Sequence, residues 1–349
     1  SIICSLENNL DKAVASQLIA DVPIGVCLSG GLDSSLITAF ASKHLNKVST
    51  FTAIFPEDKK YDESNYASLI ANFFKTDHHQ IEIKNPDINI FDKIKIFFDE
   101  PLADSSTIPT FLLYSELSKF CKVALGGDGS DELFGGYKHH YNYQKNIINN
   151  LSSKIPDELL KRVFEKTPVG LKGRNFILNS YLNNLSLIPP YPFFFDLQCR
   201  KKLMSNHANF NPIENENLCI PFNSDIEFSE LSLKNDFRNY LSNDILLKTD
   251  RSSMANSLEI RSPFLDKNFI DFSINELPTN FKVNKSKRKI ILNDLAKKVL
   301  PREFLFNRKQ GFSVPFSKWL KNKEFKNFVY DKLISNNSFF NKEYIKSIL

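Results

Sequence analysis

Apolar positions recur at two different spacings along this chain, and the alternation between them predicts its architecture. Leu6, Leu10, Val14, Leu18 and Ile19 repeat like one helical face, which predicts a helix over Leu6 to Ala20. Pro23 closes it, and the unbroken apolar run Ile24 to Leu28 reads as a buried strand. A helix from Leu32 to about Leu45 and a β-branched strand over Val48 to Phe55 follow. After a break at Pro56 to Tyr61, Glu63 to Phe74 reads as a helix with Tyr66, Leu69, Ile70 and Phe73 on one face. His79 to Ile83 alternates as a third strand. Helical patterns return over Ile88 to Phe98 and Ile108 to Phe120, and Lys122 to Leu125 is a fourth strand. Strands alternating with helices predict parallel pairing through right-handed crossovers. The expected fold class is α/β, a doubly wound parallel sheet of about five strands.

Beyond about Tyr143 the strand patterns fade. Glu158 to Phe164, Leu231 to Lys248, Phe269 to Ile274, Ile290 to Val299 and Phe325 to Ile334 read as successive helices, so the C-terminal half is expected to be largely helical. The proline-broken aromatic run Ile188 to Asp196 suits a cap over the core or a partner-facing surface, the core being favoured. One boundary near residue 145 is expected, dividing an α/β core (1–145) from a helical part (146–349).

Composition narrows the class. With 42% apolar and 24% charged residues over 349 positions, the chain reads as a globular protein of one large domain or two intimate ones. A net charge of +5, spread along the chain, is too diffuse for a nucleic-acid surface. The clusters Lys282 to Lys289 and Lys297 to Lys309 suit phosphate handling better. Cys4, Cys27, Cys121, Cys199 and Cys219 form no C-x-x-C pair, which fits free thiols in a reducing cytoplasm. No apolar run reaches ~18 residues, so neither membrane insertion nor a membrane partner is expected. The histidines, His78–His79 and His139–His140 among them, show no ligand spacing with the cysteines, and no metal site is expected there.

The chemistry concentrates in two glycine-bearing turns, each placed after a predicted strand. The first, within V-C-L-S-G-G-L-D-S-S (Val26 to Ser35), runs from a strand into a helix. Its glycines let backbone N–H groups approach a phosphate, and the helix N-terminus adds donors and a positive dipole end. Asp33 would repel a phosphate unless a divalent cation lies between them. The lysine of a Walker A loop is absent, and the sequence resembles instead the S-G-G-x-D-S loop of the ATP pyrophosphatase (PP-loop) group. The second turn, G-G-D-G-S-D-E-L-F-G-G-Y (Gly126 to Tyr137), places Asp131 where it would help Asp33 hold Mg²⁺, a hard ion that prefers carboxylates and phosphate oxygens. A plain solvated loop is the alternative for those acids.

Together the two turns resemble the synthetase domain of glutamine-dependent asparagine synthetases. D-E-S-x-Y-A at Asp62 to Ala67, D-E-P at Asp99 to Pro101, S-M-A-N-S-L-E-I-R-S-P-F-L-D at Ser253 to Asp266 and R-K-Q-G-F-S-V-P-F at Arg308 to Phe316 extend the likeness over nearly the whole chain. It implies an adenine nucleotide α-hydrolase-like sheet and a ligase that adenylates a carboxylate with ATP and Mg²⁺, then admits ammonia. It further implies that Ser29, Gly30, Gly31, Asp33, Ser34 and Ser35 hold the phosphates, and that Leu28, Ala53, Gly126 and Gly127 flank the nucleoside. Asp33 and Asp131 would hold the metal and Asp128 would serve as general base. Glu132 would bind the amino acid, and Lys289 would neutralise the α-phosphate and departing pyrophosphate. For Lys289 a solvated face beside Lys285, Lys287 and Arg288 is the competing reading. Arg251 or Arg261 would hold a substrate carboxylate or, equally, a structural ion pair.

Three departures from the family pattern stand out: Gly126 in place of serine, Ile54 in place of glycine, and Asn293 where arginine is frequent. The family's N-terminal glutaminase domain has no counterpart here. The chain is therefore expected to be a piece of a longer protein, or to take ammonia free or from a separate partner. Sugar-acid amidation and β-lactam closure use the same ATP motifs. A tRNA-modifying PP-loop enzyme, which would need catalytic cysteines and a basic tract, and a non-catalytic nucleotide-binding module are the other classes considered.

Overall fold

The computed structural model describes residues 1–55, 62–83, 87–142, 155–168, 171–188, 195–204, 219–284, 286–306, 322–335 and 340–348. The Pro56 to Tyr61 break, most of the Ile188 to Asp196 run and the Arg308 to Phe316 motif lie outside them. The strands are β1 (Ile24–Cys27), β2 (Ser49–Ile54), β3 (Asp77–Glu82), β4 (Val123–Leu125), β5 (Leu187–Ile188), β6 (Ile220–Pro221) and β7 (Glu259–Arg261). Five of these form one parallel sheet in the order β3-β2-β1-β4-β7, and β5 pairs antiparallel with β6. Helices α1 (Ile2–Gln17), α2 (Leu32–His44), α3 (Ser64–Phe74), α4 (Asn89–Phe97), α5 (Thr107–Leu117), α6 (Ser130–Phe134) and α7 (His139–Asn142) follow the predicted alternation.

The order places the site. The chain steps outward from β1 to β2 and β3, then returns through α4 and α5 to lay β4 on the other side of β1. The order in which strands are added thus reverses between β1 and β4, the switch point where doubly wound sheets bind ligands beyond the strand carboxyl ends. Both glycine turns leave those two strands.

Two compact units cut the chain differently from a single boundary at 145. Unit 1 comprises Ser1–Tyr137, Phe237–Val283 and Lys287–Phe316, and unit 2 comprises Lys138–Asp236, Asn284–Ser286 and Ser317–Leu349. The reason lies in the path of the chain, which comes back to the sheet to add β7 and then forms the helix Ile290–Val299. The core of unit 1 is built from Leu6, Leu10 and Val14 of α1, Leu36, Ile37 and Phe40 of α2, Leu125, Phe264 and Phe269, and Leu292 and Leu295. Each such side chain contributes roughly 1.5–3 kcal/mol by leaving water. Unit 2 has its own cluster of Leu160, Phe164, Leu178, Tyr181 and Leu182.

Some helical faces turn differently from expectation. In α3 the buried residues are Ala67, Ile70 and Ala71, whereas Phe73 is 53% exposed. α1 ends at Gln17, which leaves Ile19 beyond it 77% exposed. The predicted helix Leu231 to Lys248 divides into Asp225–Asn235, a π-helical stretch Asp236–Ile245 and Leu246–Met254. No helix among the described residues is long and apolar enough to cross a membrane.

Candidate active site

The first turn is held by its own small side chains. Ser34 Oγ donates to the Gly31 carbonyl (3.3 Å) and accepts from the Ser29 amide (3.2 Å), and the two serine hydroxyls lie 3.0 Å apart. Gly31 caps α2, whose first turn carries Asp33 and whose Ser34 and Ser35 are buried. Gly30 has φ +70°, and a Cβ there would lie 2.5 Å from the Ala67 amide nitrogen and the Tyr66 carbonyl carbon. This contact accounts for D-E-S-x-Y-A: the start of α3 packs its backbone directly under the turn. Gly30→Ala should therefore destabilise the chain by roughly 1–3 kcal/mol through overpacking alone, read as a lower denaturation midpoint. An unchanged midpoint would contradict the packing.

The second turn abuts the first. A Cβ on Gly127 would sit 3.1 Å from Asp33 Cβ, and the Gly126 amide donates to the Arg261 carbonyl (2.8 Å), tying the turn to β7. Gly129 has φ +88°, with Leu265 filling the space a side chain would need. The stretch ending S-P-F-L-D is thus the support beneath the second turn.

Lys289 joins the two. Its Nζ lies 2.7 Å from both carboxylate oxygens of Asp33, 2.6 Å from Asp131 Oδ1 and 3.2 Å from Ser130 Oγ, and the residue is 5% exposed. Ser130 Oγ also donates to Asp33 Oδ1 (2.7 Å). Burial opposes the charge on Lys289, but Asp131 and Asp33 outweigh it and hold the ammonium above its ordinary pKa. The solvated-face reading of Lys289 does not describe this side chain. The residue has φ +46°, a strained conformation for lysine of the sort that clusters at functional sites. Asn293, the departure from the family's frequent arginine, donates to the carbonyls of Arg288 and Lys289 (both 2.9 Å) and steadies that turn.

Asp128 and Glu132 occupy separate surroundings. Asp128 is partly buried and accepts from Thr249 Oγ1 (3.2 Å). Burial raises its pKa, Lys248 works against this, and Asp131 and Asp33 add to it. Lys248 Nζ is itself held by Asp104 Oδ2 (2.6 Å) and Ser106 Oγ (2.7 Å). Glu132, 2% exposed, accepts from Tyr137 Oη (2.5 Å), and burial with the neighbouring Asp131 pushes it up to about 7. Sequence reasoning missed Lys248, Thr249, Asp104, Ser106 and Tyr137 as supports. Tyr137 ends the second motif, and Asp104 and Ser106 lie just past D-E-P.

Leu28 is buried just past the end of β1, its amide donating to the Phe51 carbonyl (2.8 Å) and its own carbonyl accepting from Thr52 Oγ1. Ala53 is partly buried on the adjacent β2. Arg251 Nη2 pairs with Asp99 Oδ2 (2.5 Å), and Arg261 bonds Glu259 and the carbonyls of Gln17 and Ile19. Both arginines thus make the structural pairs given above as the alternative to substrate binding.

Two of the thiols, Cys27 and Cys121, are placed for inertness. Burial first, then Cys121 and Asp128, push the Cys27 thiol to about 12, and burial pushes Cys121 to about 11. The exposed Cys4 thiol is lowered, the hydrogen bond with its neighbour Ser1 being the largest cause. Iodoacetamide at pH 8 should modify Cys4 and spare Cys27 and Cys121, since only the thiolate reacts; mass spectrometry of the digest reads this out. Rapid labelling of Cys27 would reopen a cysteine-dependent chemistry.

The Asparagine synthase family model matches residues 5–349. The chain is 30% identical over 364 residues to asparagine synthetase (glutamine-hydrolyzing) 1 of Bacillus subtilis, covering 100% of this chain and 55% of that protein. It is 25% identical over 350 residues to asparagine synthetase (glutamine-hydrolyzing) 3 of the same organism, covering 91% and 51%. The chain thus spans about half the length of the curated relatives it matches. Among solved structures, the NH3-dependent NAD synthetase of Campylobacter jejuni aligns at 17% identity over 53% of this chain and 95% of that one. Its TM-score of 0.29 is too low to bear on the assignment.

Proposed function

The chain belongs to the asparagine synthase family, and from that premise we propose that it is the synthetase portion of an ATP-dependent carbon–nitrogen ligase. It adenylates a carboxylate, aspartate being the expected one, releases pyrophosphate, and passes the acyl-adenylate to ammonia, giving an amide and AMP. The observation that carries this reading is the convergence of partly buried Asp33 and Asp131 on buried Ser130 and Lys289, beside two glycine turns at the sheet's switch point.

Asp33 and Asp131 fit a hard divalent ion, because their carboxylates already converge on one cationic atom, the Lys289 ammonium. Mg²⁺ bound there would supply charge neutralisation for the phosphates. The amides of Gly30, Gly31 and the start of α2 orient the phosphate chain, with Ser29, Ser34 and Ser35 shaping the turn. Leu28, Ala53, Gly126 and Gly127 flank the nucleoside. Lys289 offsets the charge that develops at the α-phosphate and on pyrophosphate. Asp128 takes the surplus proton as ammonia attacks the acyl carbon, and its raised pKa makes it a better base than an ordinary carboxylate. Glu132, held by Tyr137, receives the substrate ammonium. Arg251 would reach a substrate carboxylate only on leaving Asp99.

Ammonia comes from a glutaminase domain or partner of the kind the relatives' names imply, and the free thiols suit the cytoplasm. The test is incubation with ATP, Mg²⁺ and ammonium across a panel of carboxylic acids, with AMP, pyrophosphate and amide measured. Aspartate-dependent AMP and asparagine are expected. AMP dependent on a sugar acid instead would move the substrate, and no AMP with any acid would leave a nucleotide-binding module.

A further inference from the structure

Away from the nucleotide site, unit 2 gathers donor atoms of a different character. His139 and His140 open α7, immediately after the chain leaves unit 1 at Tyr137, and Asp236 is the last residue before it returns at Phe237. His139 Nε2 lies 2.5 Å and His140 Nε2 2.8 Å from the same oxygen, Asp236 Oδ2. The side chains of His140 and Asp236 are 0% and 1% exposed, and that of His139 is 16% exposed. The candidate ligand atoms of all three residues lie within 4.8 Å of one another.

Successive residues on a helix point about 100° apart, so adjacency alone does not aim two imidazoles at one atom. Here both turn to it, with their ring centroids 4.4 Å apart and their planes at 65°. Two imidazole nitrogens and one carboxylate oxygen, largely shielded from water, are the donors that a borderline divalent ion selects; a hard ion such as Mg²⁺ prefers oxygen alone. Zinc would hold such atoms at about 2.0–2.2 Å, so neighbouring ligand atoms stand about 3.3 Å apart in a tetrahedral site. The observed contacts are shorter by less than about 1 Å, an opening that side-chain rotation supplies.

We propose that His139, His140 and Asp236 bind one divalent transition-metal ion of the zinc class, which clasps the two ends of the Lys138–Asp236 segment. The ion bridges residues 97 positions apart. Closing so long a loop restricts the unfolded chain more than closing a short one, so the ion favours the folded segment. A water completes the coordination.

The test uses the whole chain, stripped with a chelator and titrated with Zn²⁺ in excess Mg²⁺, which occupies the carboxylates of the nucleotide site. One equivalent of Zn²⁺ should bind and raise the melting temperature, and Co²⁺ in its place should give intense visible d–d bands. His139→Ala, which alters the most exposed ligand, and Asp236→Asn should each weaken binding at least about 100-fold while circular dichroism stays unchanged. Failure of the wild-type chain to take up Zn²⁺, or undiminished uptake by both variants, would overturn the proposal. In that event the cluster is a carboxylate shared by two imidazoles without a metal.

Discussion

Lys289→Ala is expected to cost about 3–5 kcal/mol of stability, the usual penalty for leaving a buried partner charge uncompensated. Asp33 and Asp131 would then face each other across a site from which their shared cation has gone. The same change should slow adenylation about 10²–10³-fold, the effect of removing one preorganised group aimed at developing charge. Because Lys289 sits at positive φ, Lys289→Gly separates two contributions. Glycine relieves the backbone while deleting the charge, so it should be more stable than the alanine variant by about 1 kcal/mol yet equally slow. Denaturant titration and ATP–pyrophosphate exchange measure the two quantities. Wild-type exchange in either variant would remove Lys289 from the phosphate site.

Asp128→Asn should divide the reaction in two. In the proposed mechanism adenylation is set at Asp33, Asp131 and Lys289, so carboxylate-dependent ATP–pyrophosphate exchange should persist. Amide formation should fall about 10²–10⁴-fold, the span of a lost general base. The amide nearly preserves shape and can still accept from Thr249, so folding should be little affected. Asparagine formation at the wild-type rate would show that the proton leaves by another route. Equal loss of exchange and amide formation would place Asp128 in the first step.

Much of this was legible in the chain. The helix Ile290–Val299 has the expected bounds, and β1 to β4 lie within a few residues of the apolar runs that predicted them. β7 was not legible as a strand. Glu259, Ile260 and Arg261 offer no buried apolar run or clean alternation, and tertiary pairing with β4 makes them a strand. Without β7 the return of the chain to the sheet is invisible in the sequence, whereas the compact unit 1 also takes in Phe237–Val283 and Lys287–Phe316.

The same physical limit applies to the site. Glycine turns and their acids are local, so spacing reveals them. Lys289 lies 256 positions from Asp33, and no periodicity connects the two; only resemblance did. Thr249 reaches Asp128 across 121 positions, and Asp236 reaches His140 across 96, with no motif signalling either encounter.

The central claim is that this site joins a carboxylate oxygen to the α-phosphorus of ATP. Aspartate carrying ¹⁸O in its side-chain carboxylate, incubated with ATP, Mg²⁺ and ammonium, tests it most directly. Attack by that carboxylate and displacement by ammonia must leave one ¹⁸O in the phosphate of AMP, with asparagine and pyrophosphate formed in equal amount. Unlabelled AMP, or ADP with inorganic phosphate, would contradict it.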